Sequence, residues 1–234
     1  AVTSGSGIYI TSAALTATSQ HVDGEGYARN LFFYNGSGVS GSGSFVHITN
    51  AARLTATFQQ SHAFNINQEE SSTITDGARF QIDGKTQLTA TTPSGDCGNW
   101  YVGTKSHTED ATLIISDVVS TATSTTQRAF LLYFEDPSLM RSELTIEDVT
   151  TTLSGGTDVV VFRIDGLTSY INGTRMLIQR IGGTLTCTDT AEYTSTYTAV
   201  TCMRAQMNNA TLAMQDSTVT LNNGESSPGV LEVS

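Results

Sequence analysis

The sequence predicts an all-β chain wound as a right-handed parallel β-helix, a solenoid of about seven coils with three short strands per coil and uncapped ends. Three observations predict it. A short apolar triplet recurs along the whole chain about every 34 residues. Thr, which suits a pleated surface, occupies 38 of the 234 positions, and Ser another 25. Period-2 alternation bounded by Gly, Ser, Asn and Asp recurs throughout, and no stretch sustains a helical period.

The first element of each repeat is an apolar residue, any residue, then Ile or Met. It appears as Ile8-Tyr9-Ile10, Val46-His47-Ile48, Phe80-Gln81-Ile82 and Leu113-Ile114-Ile115, then as Leu144-Thr145-Ile146, Met176-Leu177-Ile178 and Leu212-Ala213-Met214. Their first residues are 38, 34, 33, 31, 32 and 36 positions apart. A Thr- and Leu-rich element follows: Leu15–Thr18, Leu54–Thr57, Leu88–Thr91, Thr121–Thr123, Thr152-Leu153, Thr184–Thr186 and Thr220-Leu221. The third element is a late apolar stretch, as in Leu31–Tyr34, Phe64–Ile66, Trp100–Val102, Phe130–Phe134, Val159–Phe162, Thr198–Val200 and Val230-Leu231.

Stacked coils align their inward residues in columns. The anchors Ile10, Ile48, Ile82, Ile115, Ile146, Ile178 and Met214 then form one core ladder, in a stack ~34 Å tall at ~4.8 Å per rung. An antiparallel sandwich with strands at similar spacing is the competing fold, and the periodic repeat favours the solenoid. The repeats exceed a minimal coil, so loops over 19–30 and 61–76 are expected to protrude from one edge. Residues 1–234 read as a single β-solenoid domain, either a segment of a longer chain or a filament subunit.

Composition narrows the function. The net charge is -11, with 11 basic and 22 acidic residues, which argues against a nucleic-acid partner because phosphate binding rests on clustered Lys and Arg. No apolar run approaches the ~20 residues of a helical membrane span. The sequons at Asn35, Asn172 and Asn209 are candidate N-glycosylation sites, and with the Thr-rich composition they favour an extracellular or cell-surface location. Stacked Thr and Ser serve the pleated surface and are also potential O-glycan acceptors.

Catalytic and metal patterns are weak. Two residues after each anchor stand Ser12, Asn50, Gly84, Asp117, Asp148, Arg180 and Asp216. A Ca²⁺-binding carboxylate column is one reading. A turn at the strand end is preferred, because no D-x-D-x-D-G run is present and Arg180 interrupts the acids. Asp136, Asp165, Arg163 and Arg141 are the candidates for a polysaccharide lyase or hydrolase, but an acidic chain suits a polyanionic substrate poorly. Adjacent carboxylates such as Glu135-Asp136, Glu147-Asp148 and Glu109-Asp110 point to opposite sides of a strand and cannot share a site alone. His21, His47, His62 and His107 show no ligand spacing. No catalytic residue and no cofactor is therefore assigned. Cys187 and Cys202 are a disulfide candidate within one repeat, worth ~3 kcal/mol if unstrained. Cys97 lies about three coils away and is read as a buried thiol, with pairing to another molecule as the alternative.

Leu144-Thr145-Ile146-Glu147-Asp148 and Leu212-Ala213-Met214-Gln215-Asp216 carry a resemblance. This apolar-x-Ile-x-Asp turn, followed by a Thr-rich strand, resembles the β-helical ectodomains of repetitive surface proteins. The dispersed-gene-family surface proteins of kinetoplastids and the bacterial polymorphic adhesins are the groups concerned. The resemblance spans the chain and implies a surface or structural role, with no catalytic residues to carry over.

The leading expectation is a non-enzymatic extracellular structural protein that self-assembles by β-stacking into a filament, surface appendage or coat. Its partner would be further copies of itself. A glycan-binding adhesin or fibre segment using Tyr34, Trp100, Tyr101 and Tyr133 is the first alternative, and a polysaccharide-degrading enzyme on the same fold is the second.

Overall fold

A computed structural model describes residues 1–3, 5–20, 26–69, 71–166, 168–188, 197–223 and 227–233. The chain winds through three sheets, and each strand pairs with the strand one repeat away. All these pairings are parallel. The result is a β-solenoid of about six turns, in which two of the sheets hold seven strands each.

The short sheet holds Val2–Thr3, Gly38–Ser40, Thr73–Thr75, His107–Glu109, Ser138–Met140, Tyr170–Asn172 and Gln206–Asn208. The long sheet opens with Gly7–Thr11 and Ala14–Ser19 on its first rung, and its fourth to sixth rungs are Thr112–Ser124, Glu143–Gly155 and Arg175–Cys187. The third, aromatic sheet comprises Tyr27–Phe33, His62–Gln68, Cys97–Val102, Ala129–Glu135, Val159–Asp165, Tyr197–Met203 and Ser227–Val233.

Three elements per coil are thus present, but divided differently from the sequence reading. The apolar triplet and the Thr-rich segment are two halves of one sheet. In the fourth to sixth rungs they fuse into continuous strands of 13 residues. What separates them is one residue with left-handed backbone, or two in the second and third rungs, where Ala51 at 56° follows Asn50 and Lys85 at 63° follows Gly84. Ser12, Asn50, Gly84, Asp117, Asp148, Arg180 and Asp216 have φ of 50°, 59°, 63°, 50°, 52°, 51° and 52°. Where such a residue stands alone it inserts one position and resets the pleat, as a bulge does. Leu113 and Ile115 face inward before Asp117, and Val118, Ser120 and Ala122 face inward after it.

The short sheet escaped the sequence reading because its strands hold two or three residues with a single inward side chain. Val2, Val39, Ile74, Thr108, Leu139, Ile171 and Met207 stack in that one column. The segment 61–76, expected as a protruding loop, is instead the strands His62–Gln68 and Thr73–Thr75 with their corner. Its polar residues misled because several of them, Asn65 and Asn67 among them, are buried. Of 19–30, residues 27–30 open the strand Tyr27–Phe33, and 21–25 lie outside the described residues.

Ile10, Ile48, Ile82, Ile115, Ile146, Ile178 and Met214 stand in successive register and form one aliphatic column. The five inner isoleucines are fully buried. Truncating one of them to Ala removes three carbons from a site whose neighbours above and below are fixed by backbone hydrogen bonds, so the cavity cannot collapse. We expect Ile115→Ala to lower unfolding free energy by about 2–5 kcal/mol in urea titration. At the corner, Asp117→Gly should be tolerated, whereas Asp117→Val should cost about 1–2 kcal/mol because a branched side chain resists left-handed backbone.

Candidate functional site

The corner column is held by turns and, where it carries charge, by ion pairs between rungs. Arg180 Nε and Nη2 donate to the Asp148 carboxylate at 2.7 and 2.8 Å, and Nη2 also reaches Glu147 at 2.8 Å. Arg141, at the corner after the short sheet, likewise donates to Asp110 at 2.9 Å and to Glu109. Asp110, Arg141, Gly173 and Asn209 also take left-handed backbone, at 49°, 47°, 62° and 47°. Among the described residues, no group of three or more His, Cys, Asp or Glu side chains converges on one point.

The aromatic sheet bends at one column, and there the sequence places asparagines. Asn30 Nδ2 donates to Asn65 Oδ1 at 2.8 Å, and Asn65 Nδ2 donates to Asn99 Oδ1 at 2.7 Å. The same amides donate to the Thr55 and Thr89 carbonyls of the long sheet at 2.8 and 2.9 Å, and Asn99 ends the chain on Ser120 Oγ at 2.7 Å. This ladder ties two sheets together across the interior. Farther along, Leu131, Val161 and Val200 are the buried residues at the bend.

Outside that bend lies a row of rings and charges. Phe64 stacks on Tyr101 with centroids 4.9 Å apart, and Tyr133 meets both Tyr101 and Phe130 edge-on. Gly98 makes room for Phe130, since a Cβ there would stand 2.0 Å from its ring. Arg128 donates to Asp96 at 2.6 and 2.9 Å, Arg163 to Asp158 at 2.7 Å and to Asp165, and Arg29 to Glu69 at 3.2 Å. Burial opposes the Arg128 charge, but Asp96 outweighs it and holds the guanidinium above its ordinary value. Burial, then the hydrogen bond to Glu135, push the Tyr101 phenol well up. A cavity of about 200 Å³ opens among Tyr27, His62, Phe64, Asp96, Tyr101 and Glu135.

This arrangement sorts the sequence candidates. Arg163 and Asp165 meet, whereas Asp136 accepts from the Thr168 backbone and hydroxyl at 3.0 Å, and Arg141 belongs to another corner. The four do not form one site. Of the aromatics proposed for glycan contact, Trp100 points inward, fully buried, and its indole donates to Gln68 Oε1 at 3.0 Å. Tyr133 is also buried; Tyr34 is exposed and Tyr101 half-buried.

The three cysteines are thiols, none joined in a disulfide. Cys187 lies in the core, with its Sγ donating to the Thr157 carbonyl, while Cys202 pairs in register with Arg163 on the aromatic sheet. The two thus belong to different sheets, which is why the expected Cys187–Cys202 bond does not form. Burial pushes the Cys97 thiol up to about 12. Asn35 and Asn209 are exposed at corners. Asn172 is half-buried, and the hydroxyl of its sequon, Thr174, is buried within hydrogen-bond reach of the Ser142 amide at 3.4 Å. His62 and His107 face acids on the surface, and His21 lies outside the described residues.

Two further features stand out, the first of them without a recognised sequence signal. One is a cavity of about 460 Å³ on the outer side of the long sheet, lined by Tyr9, Phe45, His47, Arg79, Gln81 and the corner residues Gly43, Ser44 and Gly77. The other is the chemistry of the first and last rungs. Ile8, Ile10, Leu15 and Ala17, like Leu212, Met214, Val219 and Leu221, pack on the core yet stay partly exposed. The long-sheet strands of these rungs, GIYIT, ALTATS, TLAMQ and TVTLNN, contain no charged residue. Inner strands carry Arg53, Arg79, Glu143, Glu147, Arg175 and Arg180.

No protein-family model, curated protein or solved structure is similar to this chain.

Two tests follow from the geometry. His107 and then Arg141 hold the Glu109 carboxyl below its ordinary value; Arg141 does the same for Asp110 and Arg180 for Asp148. Such groups titrate near 4 when unfolded, so the unfolded chain takes up more protons as pH falls below about 5. Their stabilisation is present at neutral pH and lost as pH drops through 4 toward the lower folded values. The melting temperature should therefore fall between pH 5 and pH 3, with a smaller drop in high salt, because these pairs are exposed. Cys97 should resist a thiol reagent at pH 8 in the native protein and react once urea unfolds it.

Proposed function

We propose that the chain is a non-enzymatic structural protein, extracellular or on the cell surface, whose solenoid is extended rung upon rung into a filament, appendage or coat. The observation that carries this reading is the match between the two end rungs. Val2, Ile8, Ile10, Leu15 and Ala17 occupy the same columns as Met207, Leu212, Met214, Val219 and Leu221. Placing one end rung on the other continues each of these five columns with an apolar side chain. Strand edges that must stay unpaired are usually protected by charges or prolines. Here the end strands of the long sheet carry neither, while the inner rungs are charged. A head-to-tail contact of this kind does not close on itself and generates a fibre.

The resemblance in texture to repetitive surface proteins supports the same role, as do the exposed sequons Asn35 and Asn209. The expected partner is a second copy of this chain. Electron microscopy across a concentration series should reveal filaments with an axial repeat of ~34 Å, the height of seven rungs. Ala17→Lys and Leu221→Lys, each placing a charge on an end rung, should leave the circular dichroism unchanged and yield single particles. Single particles from the unsubstituted chain at every concentration would refute the proposal.

A further inference from the structure

The Tyr9 cavity is a built recess on the outer side of the long sheet. Its floor is a grid of two columns and three rungs: Gly7, Phe45 and Arg79 in one, Tyr9, His47 and Gln81 in the other. Gly7 is what opens it. A Cβ at Gly7 would stand 2.0 Å from Phe45 Cζ, so only glycine lets the Phe45 ring lie across that position. Tyr9 then meets Phe45 edge-on, with centroids 4.6 Å apart, and leans toward His47 at 5.6 Å. Tyr9 itself is 65% exposed, the most of any large apolar or aromatic residue described.

The polar groups are disposed unequally. His47 Nε2 contacts both Asp83 oxygens at 3.0 Å, and Gln81 Nε2 also donates to Asp83. Burial raises the Asp83 carboxyl, but hydrogen bonds from Thr49, His47 and Gln81 outweigh it and leave it below its ordinary value. The acid beside the recess is therefore engaged with the protein's own donors. Arg79 is not. Most of the other described arginines are paired with a carboxylate, while Arg79 lines the cavity, exposed, without one. An aromatic wall beside an uncommitted guanidinium suits a ligand with an apolar ring face and a carboxylate at its edge.

We propose that this recess binds a pyranose sugar bearing a carboxylate, with the C–H face of the sugar against Tyr9 and Phe45 and its carboxylate on Arg79. A single acidic sugar needs one such fork, so the overall acidity of the chain does not forbid it, since distant charges are screened beyond ~8 Å at physiological ionic strength. The site lies on an outward surface and does not depend on rung stacking.

Saturation-transfer NMR with methyl β-D-glucuronide, the methyl glycoside of N-acetylneuraminic acid and methyl β-D-glucoside tests it at low protein concentration. At least one acidic glycoside should give transfer and bind about tenfold tighter than the neutral one, the worth of one charge-assisted contact. Arg79→Gln should erase that difference, and Tyr9→Ala should abolish transfer from the acidic glycoside. Both residues are exposed, and unchanged circular dichroism would confirm that each variant folds. No transfer from either acidic glycoside, equal binding of all three, or acidic binding untouched by both substitutions would overturn the proposal. None of these results depends on whether filaments form.

Discussion

Everything in this molecule depends on one constraint, the parallel register between successive rungs. A strand of one coil meets its counterpart in the next residue for residue, so each inward side chain is stacked on its own homologue and each corner on a corner. No coil buries its apolar residues alone; burial arises only from neighbours above and below. That is why residues of like kind recur along columns, such as the isoleucines from Ile10 to Ile178. The left-handed residue in each long-sheet strand protects the register. It sits at the same corner in every rung, joined by a second such residue in the second and third, and where it stands alone a coil lacking it would put its second half inside out.

Polar groups obey the same stacking rule, inside and out. The Asn30–Asn65–Asn99 ladder satisfies side-chain amides at a bend where the aromatic sheet turns, and it also caps long-sheet carbonyls. Buried amides are tolerable there because each finds partners one rung away and across the interior. Outside, Arg141 and Arg180 neutralise acids one rung below. In a chain of net charge -11 these bridges place scarce cations against stacked carboxylates that would otherwise repel along the axis.

Charge also distinguishes the middle of the solenoid from its two end rungs. In the long sheet, inner strands display arginines and glutamates outward, whereas the end strands present Thr, Ala, Tyr and Gln over partly exposed apolar columns. An end proposed to accept another rung and a flank that carries a ring-lined recess would serve different purposes. The proposed filament would repeat the Tyr9 recess at regular intervals, so a weak sugar contact would gain from multivalency along the axis.

The repeat was legible because apolar-x-Ile triplets and Thr-rich runs recur at a period that only a stacked fold rewards. From it followed the solenoid, three elements per coil and the parallel sheets. The partition of those elements was not legible, because a single left-handed residue looks in sequence like a strand end, and the short strands carry one inward residue each. Asn67 read as a loop residue and the burial of Asn65 went unread, since alternation cannot reveal that a bend turns polar side chains inward. Trp100 and Tyr133 read as exposed for the same reason, and Cys187 and Cys202 as partners because sequence proximity says nothing about which sheet each side chain leaves. The sequence by itself determined the winding, through the period of its local pattern. The tertiary structure decided the neighbours of each outward side chain, such as Phe45 over Gly7 and against Tyr9, because those contacts join residues a whole coil apart.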